Sequence, residues 1–383
     1  MYGNAVRTKK KYMKKIVLAY SGGLDTSYCL KKLSNEGNEV HAVNINTGGF
    51  TIIEIEKMKE KAYKLGAHSF ISINSVYSFY EKIIKFLIYG NVLRNNTYPL
   101  SVSSERTIQA IEIVKYANEH NASHIAHGST GAGNDQVRFD SIFQILAPNK
   151  KIITPIRDSS LSRQNEIDYL LKSGINISWD KAKYSINKGL WGTSVGGDET
   201  LTSNLKLPEE AFPGKLTESD KKNIVITFKN GEVVGLNGEF YDPVTCIELI
   251  NKECDKFCIG RDIHVGDSII GIKGRVGFQA GGPLMIIKSH HLLEKHTLTK
   301  WQQYQKEQLS NCDSWDPNKL LEGECDKPIS YVNEMNETQS RSQILYIFQF
   351  LLMFLLFFPL GTFFHRSLRN IKTLRYETSV SPE

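Results

Sequence analysis

The chain has 383 residues, 47 Lys and Arg against 41 Asp and Glu, a net charge of +6, and 40% hydrophobic residues. That is enough apolar material for two cores, and it excludes a wholly disordered or fibrous chain. The charge sits at the ends: residues 1–12 carry +4 and 365–383 carry +2, so 13–364 is neutral, which argues against a basic nucleic-acid-binding face on the folded domains.

Residues 1–12 read as a disordered, solvated leader rather than a targeting peptide, with Met13 as the true start. Apolar runs near 15–20, 40–45, 69–73, 123–127 and 151–155 predict strands, separated by helical patterns such as 53–65 and 105–118. That alternation predicts an α/β nucleotide-binding domain with a parallel sheet over 13–180. After Trp179 the pattern changes. Residues 223–235 alternate around Asn230-Gly231 and predict a hairpin, 243–256 a helix, and 268–273 and 283–288 further strands, together a second α+β domain over 181–309. Residues 310–383 form a tail in which 344–364 has no charge and enough length to span a membrane.

Two loops carry the chemistry. The first, Ala19-Tyr20-Ser21-Gly22-Gly23-Leu24-Asp25-Thr26-Ser27, joins a buried strand to a helix whose inward face begins with Leu30 and Leu33. Gly22 and Gly23 let the backbone approach an anion, and the helix start adds unpaired N–H groups and a positive dipole end. Ser21, Thr26 and Ser27 can add hydroxyl donors, while Asp25 suits a helix cap or a metal-ion bridge to polyphosphate. A plain glycine turn is the alternative. The string is neither a Walker loop nor a dinucleotide-fold Gly-x-Gly-x-x-Gly. It resembles the PP-loop of ATP pyrophosphatases, which activate a substrate oxygen as an adenylate and release pyrophosphate.

The second loop, His127-Gly128-Ser129-Thr130-Gly131-Ala132-Gly133-Asn134-Asp135-Gln136-Val137-Arg138-Phe139, follows the strand candidate His124-Ile125-Ala126 and so opens at the same sheet edge. An amide, a carboxylate and a guanidinium within five positions suit an amino-acid substrate, because a guanidinium forks onto a carboxylate and a carboxylate captures an amine. The alternative is a polar loop in which Asp135 and Arg138 pair with each other.

With these loops, the segments Tyr98-Pro-Leu-Ser-Val-Ser103-Ser-Glu-Arg106, Lys183 through Ser194 and Ile259-Gly-Arg-Asp-Ile-His264 make the chain similar to the argininosuccinate synthase family from about Met13 to about Leu309. The resemblance implies a ligase that condenses citrulline with aspartate using ATP and Mg²⁺, through a citrullyl adenylate, with AMP and pyrophosphate released. It implies that Ala19 to Ser27, Ile45 and Gly128 hold ATP, and that Thr130, Asn134 and Asp135 take aspartate. Tyr98, Ser103, Asn134, Arg138, Ser185 and Ser194 would take citrulline. A cytoplasmic homotetramer is also implied, although the foreign carboxyl end puts the tetramer in question.

There are three departures. The family's usual citrulline-contacting Glu and Tyr fall on Gly266 and Phe278, and the usual lysine of the second loop is Ala132. No protein nucleophile is required, and none is assigned as catalytic. The six cysteines contain no CxxC pair, and no histidine spacing identifies a metal site. Two other readings compete with the ligase: a membrane-tethered, inactive nucleotide-binding module, and another PP-loop enzyme such as an RNA thiolase.

Overall fold

Short apolar runs that can be buried on both faces become the interior of a parallel sheet, and the first 160 residues supply five of them. In the computed structural model, which describes residues 13–131, 133–159, 161–175, 184–268, 271–310 and 374–380, they are β1 (Lys15–Ala19), β2 (Glu39–Asn46), β3 (Ser69–Asn74), β4 (His124–Ala126) and β5 (Lys151–Ile153). All five predicted strands are present. They form one sheet in the order β3-β2-β1-β4-β5, with β1 parallel to both β2 and β4. The order reverses between β1 and β4, which is where open α/β sheets bind ligands.

Around the sheet lie helices α1 (Leu24–Asn35), α2 (Ile52–Lys64), α3 (Ser101–Glu119), α4 (Asn134–Leu146) and α5 (Arg163–Lys172). Leu30 and Leu33 of α1 are buried, as their spacing predicts. The described residues divide into two units. The first draws on Met1–Ile45, Ile52–Ile73 and Gln109–Trp179; the second on Asn46–Thr51, Asn74–Ile108 and Asp180–Glu383. Two stretches that lie among the parallel strands in sequence therefore belong to the second unit.

The second unit has two antiparallel sheets. One, ordered β11-β12-β7-β6, contains β6 (Ser185–Gly189), β7 (Gly192–Gly196), β11 (Arg261–Asp267) and β12 (Lys273–Gln279). The other, ordered β10-β9-β8-β13, contains β8 (Lys222–Lys229), β9 (Glu232–Leu236), β10 (Glu239–Phe240) and β13 (Leu374–Val380). Asn230 and Gly231 both take positive φ, 53° and 82°, the two-residue turn that suits a twisted hairpin. Helix α6 (Pro243–Lys256) starts at Asp242, whose carboxylate accepts the N–H groups of Val244 and Thr245 at 3.1 Å each. The core includes Phe79, Ile84, Ile226, Ile250 and the fully buried Trp191, whose indole donates to the Pro99 carbonyl at 2.9 Å.

Two expected strands are corrected. Residues 283–288 lie in helix α7 (Gly281–Thr297), where Pro283, Ile286, Ile287, His290 and Leu293 are buried at helical spacing. Their apolar run has strand length, but its periodicity extends beyond it. Of the expected strand 268–273, residues 269–270 lie outside the described residues; Ser268, Gly271 and Ile272 lie between β11 and β12, with Ser268 N–H donating to the Ile272 carbonyl at 2.7 Å, and Lys273 opens β12. Among the described residues no helix is long and apolar enough to cross a membrane. The 1–12 leader, Ala132, Cys312, Cys325 and the 344–364 segment lie outside them.

Candidate functional site

In the first unit the two predicted loops leave the carboxyl ends of β1 and β4, which are neighbouring strands. Gly22 takes a φ of +74°, and Gly23 precedes α1 in an extended conformation. The loop is tied from within: Ser27 Oγ donates to the Gly23 carbonyl at 2.6 Å, and the Ser21 and Thr26 hydroxyls are 3.3 Å apart. Behind it, Lys61 of α2 donates from Nζ to the Gly22 carbonyl at 2.7 Å. Burial lowers the Lys61 ammonium pKa to about 8.

Gly128 decides how near the second loop comes. A Cβ there would stand 3.3 Å from the Asp25 carbonyl carbon, the Thr26 N and the Thr26 Cγ2. The two loops therefore share one edge of the sheet, in contact through a residue that has no side chain. His127, buried beneath, accepts the Ser129 N–H at Nδ1 (3.2 Å) and so presents Nε2–H to Asp140 at 3.0 Å. Burial alone would raise the Asp140 carboxyl, but hydrogen bonds from His127 and Arg157 hold it below its usual range.

Asn134 and Asp135 open α4, where the helix dipole favours negative charge, and Thr130 lies exposed in the loop ahead of them. Arg138 donates to Asp135 at 3.1 Å, so the internal pairing that the sequence left open is present. Such a part-exposed pair is weak, about 0–1 kcal/mol, and a ligand with its own carboxylate or ammonium can displace it. Ile45, near the end of β2, is packed into the apolar core.

Asp25 has an unforeseen neighbour. Glu166 of α5 is buried, its Oε2 has no hydrogen-bond partner, and burial together with the Asp25 charge raises its carboxyl pKa to about 8.

The remaining predicted residues belong to the second unit, and strand register sorts them. Phe278 pairs directly with Ser194, and Ser194 with Asn187, so the three form a row across β12, β7 and β6 on one face. Ser185 lies two residues from Asn187, and Gly266 pairs with Gly274, four residues from Phe278; both share that face. Tyr98 packs on it, with its ring 5.1 Å from Phe278 and stacked at 4.9 Å on His264. Its hydroxyl is 3.5 Å from Ser103 Oγ and 3.3 Å from Ser101 Oγ. Between them Leu100 takes a φ of +59°, a strained left-handed conformation that turns the chain into α3. Asn134 and Arg138 belong to the first unit, and Tyr98, Ser103, Ser185 and Ser194 to the second.

Residues 15–176 match the model described as the arginosuccinate synthase N-terminal HUP domain, and 184–339 match the arginosuccinate synthase C-terminal domain. The chain belongs to the argininosuccinate synthase family. The synthase of Methanocaldococcus jannaschii is 38% identical over 288 residues, 74% of this chain and 72% of that one. That of Pyrococcus furiosus is 40% identical over 292 residues, 75% and 70%, and that of Prochlorococcus marinus 39% over 293 residues, 75% and 72%. These matches support the synthase reading over the tethered module and the RNA thiolase. The C-terminal match also runs to residue 339, beyond Leu309, where the expected resemblance ends.

Lys61, Glu166, His264 and Asn187 were not singled out from sequence. Asn187 accepts from Arg106 at 3.0 Å and stands in the same row as Ser194. Asn187 and His264 lie inside segments that carry the resemblance without a role being given to them there, whereas Lys61 and Glu166 lie in none.

Proposed function

We propose that this chain condenses citrulline with aspartate, using ATP, to give argininosuccinate, AMP and pyrophosphate. The observation that carries the reading is the contact of Gly128 with Asp25 and Thr26, which puts the pyrophosphate-type loop and the amino-acid-type loop on one sheet edge. In the first step the citrulline ureido oxygen attacks the α-phosphorus and pyrophosphate leaves. In the second, the aspartate amine displaces AMP.

Neither step needs a protein nucleophile, so catalysis is positioning and charge stabilisation. The amides of Gly22 to Asp25 and the hydroxyls of Ser21, Thr26 and Ser27 would hold the polyphosphate, with Ile45 toward the adenine and Gly128 closing the second side. Thr130, Asn134 and Asp135 would take aspartate, Asp135 fixing its ammonium. Tyr98, Ser103, Asn134, Arg138, Ser185 and Ser194 would take citrulline, with Arg138 forked onto its carboxylate. The oxygen donors of Asp25 and of Glu166, whose Oε2 is unpartnered, fit Mg²⁺, which would displace the proton that the buried Glu166 carboxyl holds without it. It would be held there and would offset the charge of the leaving pyrophosphate. A cytoplasmic homotetramer belongs to the same proposal.

The test is product release by the full chain. Pyrophosphate release should require citrulline, and AMP release should require aspartate as well. Equal pyrophosphate release without citrulline, or with tRNA in its place, overturns the assignment.

A further inference from the structure

The amino-terminal edge of the first sheet, away from both loops, gathers a different set of side chains. Glu39 opens β2, His41 lies two residues on and so faces the same way, and His68 immediately precedes β3. The His68 N–H donates to the Val40 carbonyl at 2.8 Å, which fixes it beside them. Their ligand-type atoms all lie within 4.8 Å of one another: His41 Nε2 is 2.9 Å and His68 Nε2 3.7 Å from Glu39 Oε1. Around a tetrahedral ion with bonds of about 2.0–2.1 Å, ligand atoms stand roughly 3.3 Å apart, and these two separations straddle that value.

The supporting contacts also suit a metal. His41 is buried, and its other ring nitrogen, Nδ1, lies 2.8 Å from Ser69 Oγ and 3.3 Å from the Tyr116 hydroxyl. An outer oxygen partner on the second nitrogen is how metal-bound imidazoles are oriented. His68 is exposed, which supplies an entry path and leaves room for water as a further ligand. One cation already approaches the carboxylate: Lys15 Nζ stands 3.5 Å from Glu39 Oε1 and would have to turn outward.

We propose that Glu39, His41 and His68 form a binding site for a zinc-class divalent cation, separate from the substrate loops and clamping the starts of β2 and β3. Two imidazoles and one carboxylate select zinc, cobalt or nickel over magnesium or calcium.

The experiment titrates Co²⁺ into the full chain, follows its visible ligand-field absorption, and then competes it with Zn²⁺. Wild type should bind one Co²⁺ per chain at this site and lose the band to Zn²⁺. His68→Ala, a change at an exposed position, should keep the far-ultraviolet circular dichroism and weaken binding at least tenfold. Glu39→Gln should weaken it similarly, and citrulline-dependent pyrophosphate release by zinc-free His68→Ala, assayed with Mg²⁺ present, should match zinc-free wild type under the same conditions. No band in wild type, equal affinity in folded His68→Ala, or a loss of turnover in that variant overturns the proposal.

Discussion

The rings of Phe278 and Tyr98 lie 5.1 Å apart at an interplanar angle of 52°, and Phe278 has no exposed surface. By the resemblance read from the sequence, Phe278 falls where a citrulline-contacting tyrosine is expected. Gly266, at the usual glutamate position, is on the same sheet face. A Cβ at Gly266 would come 2.7 Å from His264 Nε2, the tip of a side chain that can swing away. Phe278→Tyr combined with Gly266→Glu should therefore lower the citrulline KM, by roughly tenfold or ~1.4 kcal/mol. Steady-state kinetics at saturating ATP checks this; an unchanged KM in a folded variant assigns the ureido contact to other groups.

Asp135→Asn keeps the size of the side chain and removes the charge proposed to hold the aspartate ammonium. Aspartate use should fall by about 2–4 kcal/mol of transition-state binding, the cost of leaving one partner of a desolvated pair. Citrulline-dependent pyrophosphate exchange should continue. If exchange falls as far as it does in Gly22→Val, Asp135 serves the first step and not the second.

Gly128→Ala tests loop contact directly. The added methyl would press on the Asp25 and Thr26 backbone at 3.3 Å, so one loop must move by a few tenths of an ångström. The expected result is about a tenfold rise in the ATP KM, ~1.4 kcal/mol, with thermal stability little changed. A KM equal to wild type would mean that the second loop does not bound the nucleotide.

Glu166 should make stability depend on pH. Its carboxyl moves from an ordinary 4.5 up to about 8, so across that window the folded chain holds a proton that the unfolded chain has released. Stability from this group is full below the lower value and falls as pH rises through the window. Glu166→Gln removes the titration; urea unfolding at about pH 5 and about pH 8 should show wild type losing about 1–3 kcal/mol more than the variant. Parallel profiles for the two proteins would contradict the assignment.

The first unit was legible because each of its strands is a separate apolar run and each loop is a dense motif. Ile16, Val17 and Leu18 are wholly buried, as a central strand requires. The second unit was less legible. The run 283–288, apolar up to Ile287, satisfies strand length and helix period alike, and only the burial of His290 and Leu293 beyond it decides for α7. The grouping of Ser185, Ser194, Phe278 and Gly266 depends on strand register, which no single segment encodes. His41 and His68 meet because parallel strands bring their starts together, an arrangement that spacing rules for local motifs do not detect.

Trp191 gives the second unit an optical signal. Its indole is sealed from solvent and bound to the Pro99 carbonyl, whereas Trp301 is about two-thirds exposed. In a chain carrying Trp179→Phe and Trp315→Phe, which removes the other two tryptophans, iodide should quench Trp301 and spare Trp191. The protected, blue-shifted emission that remains then reports whether the core of the second unit is closed, including in any variant whose loss of turnover has to be separated from loss of structure.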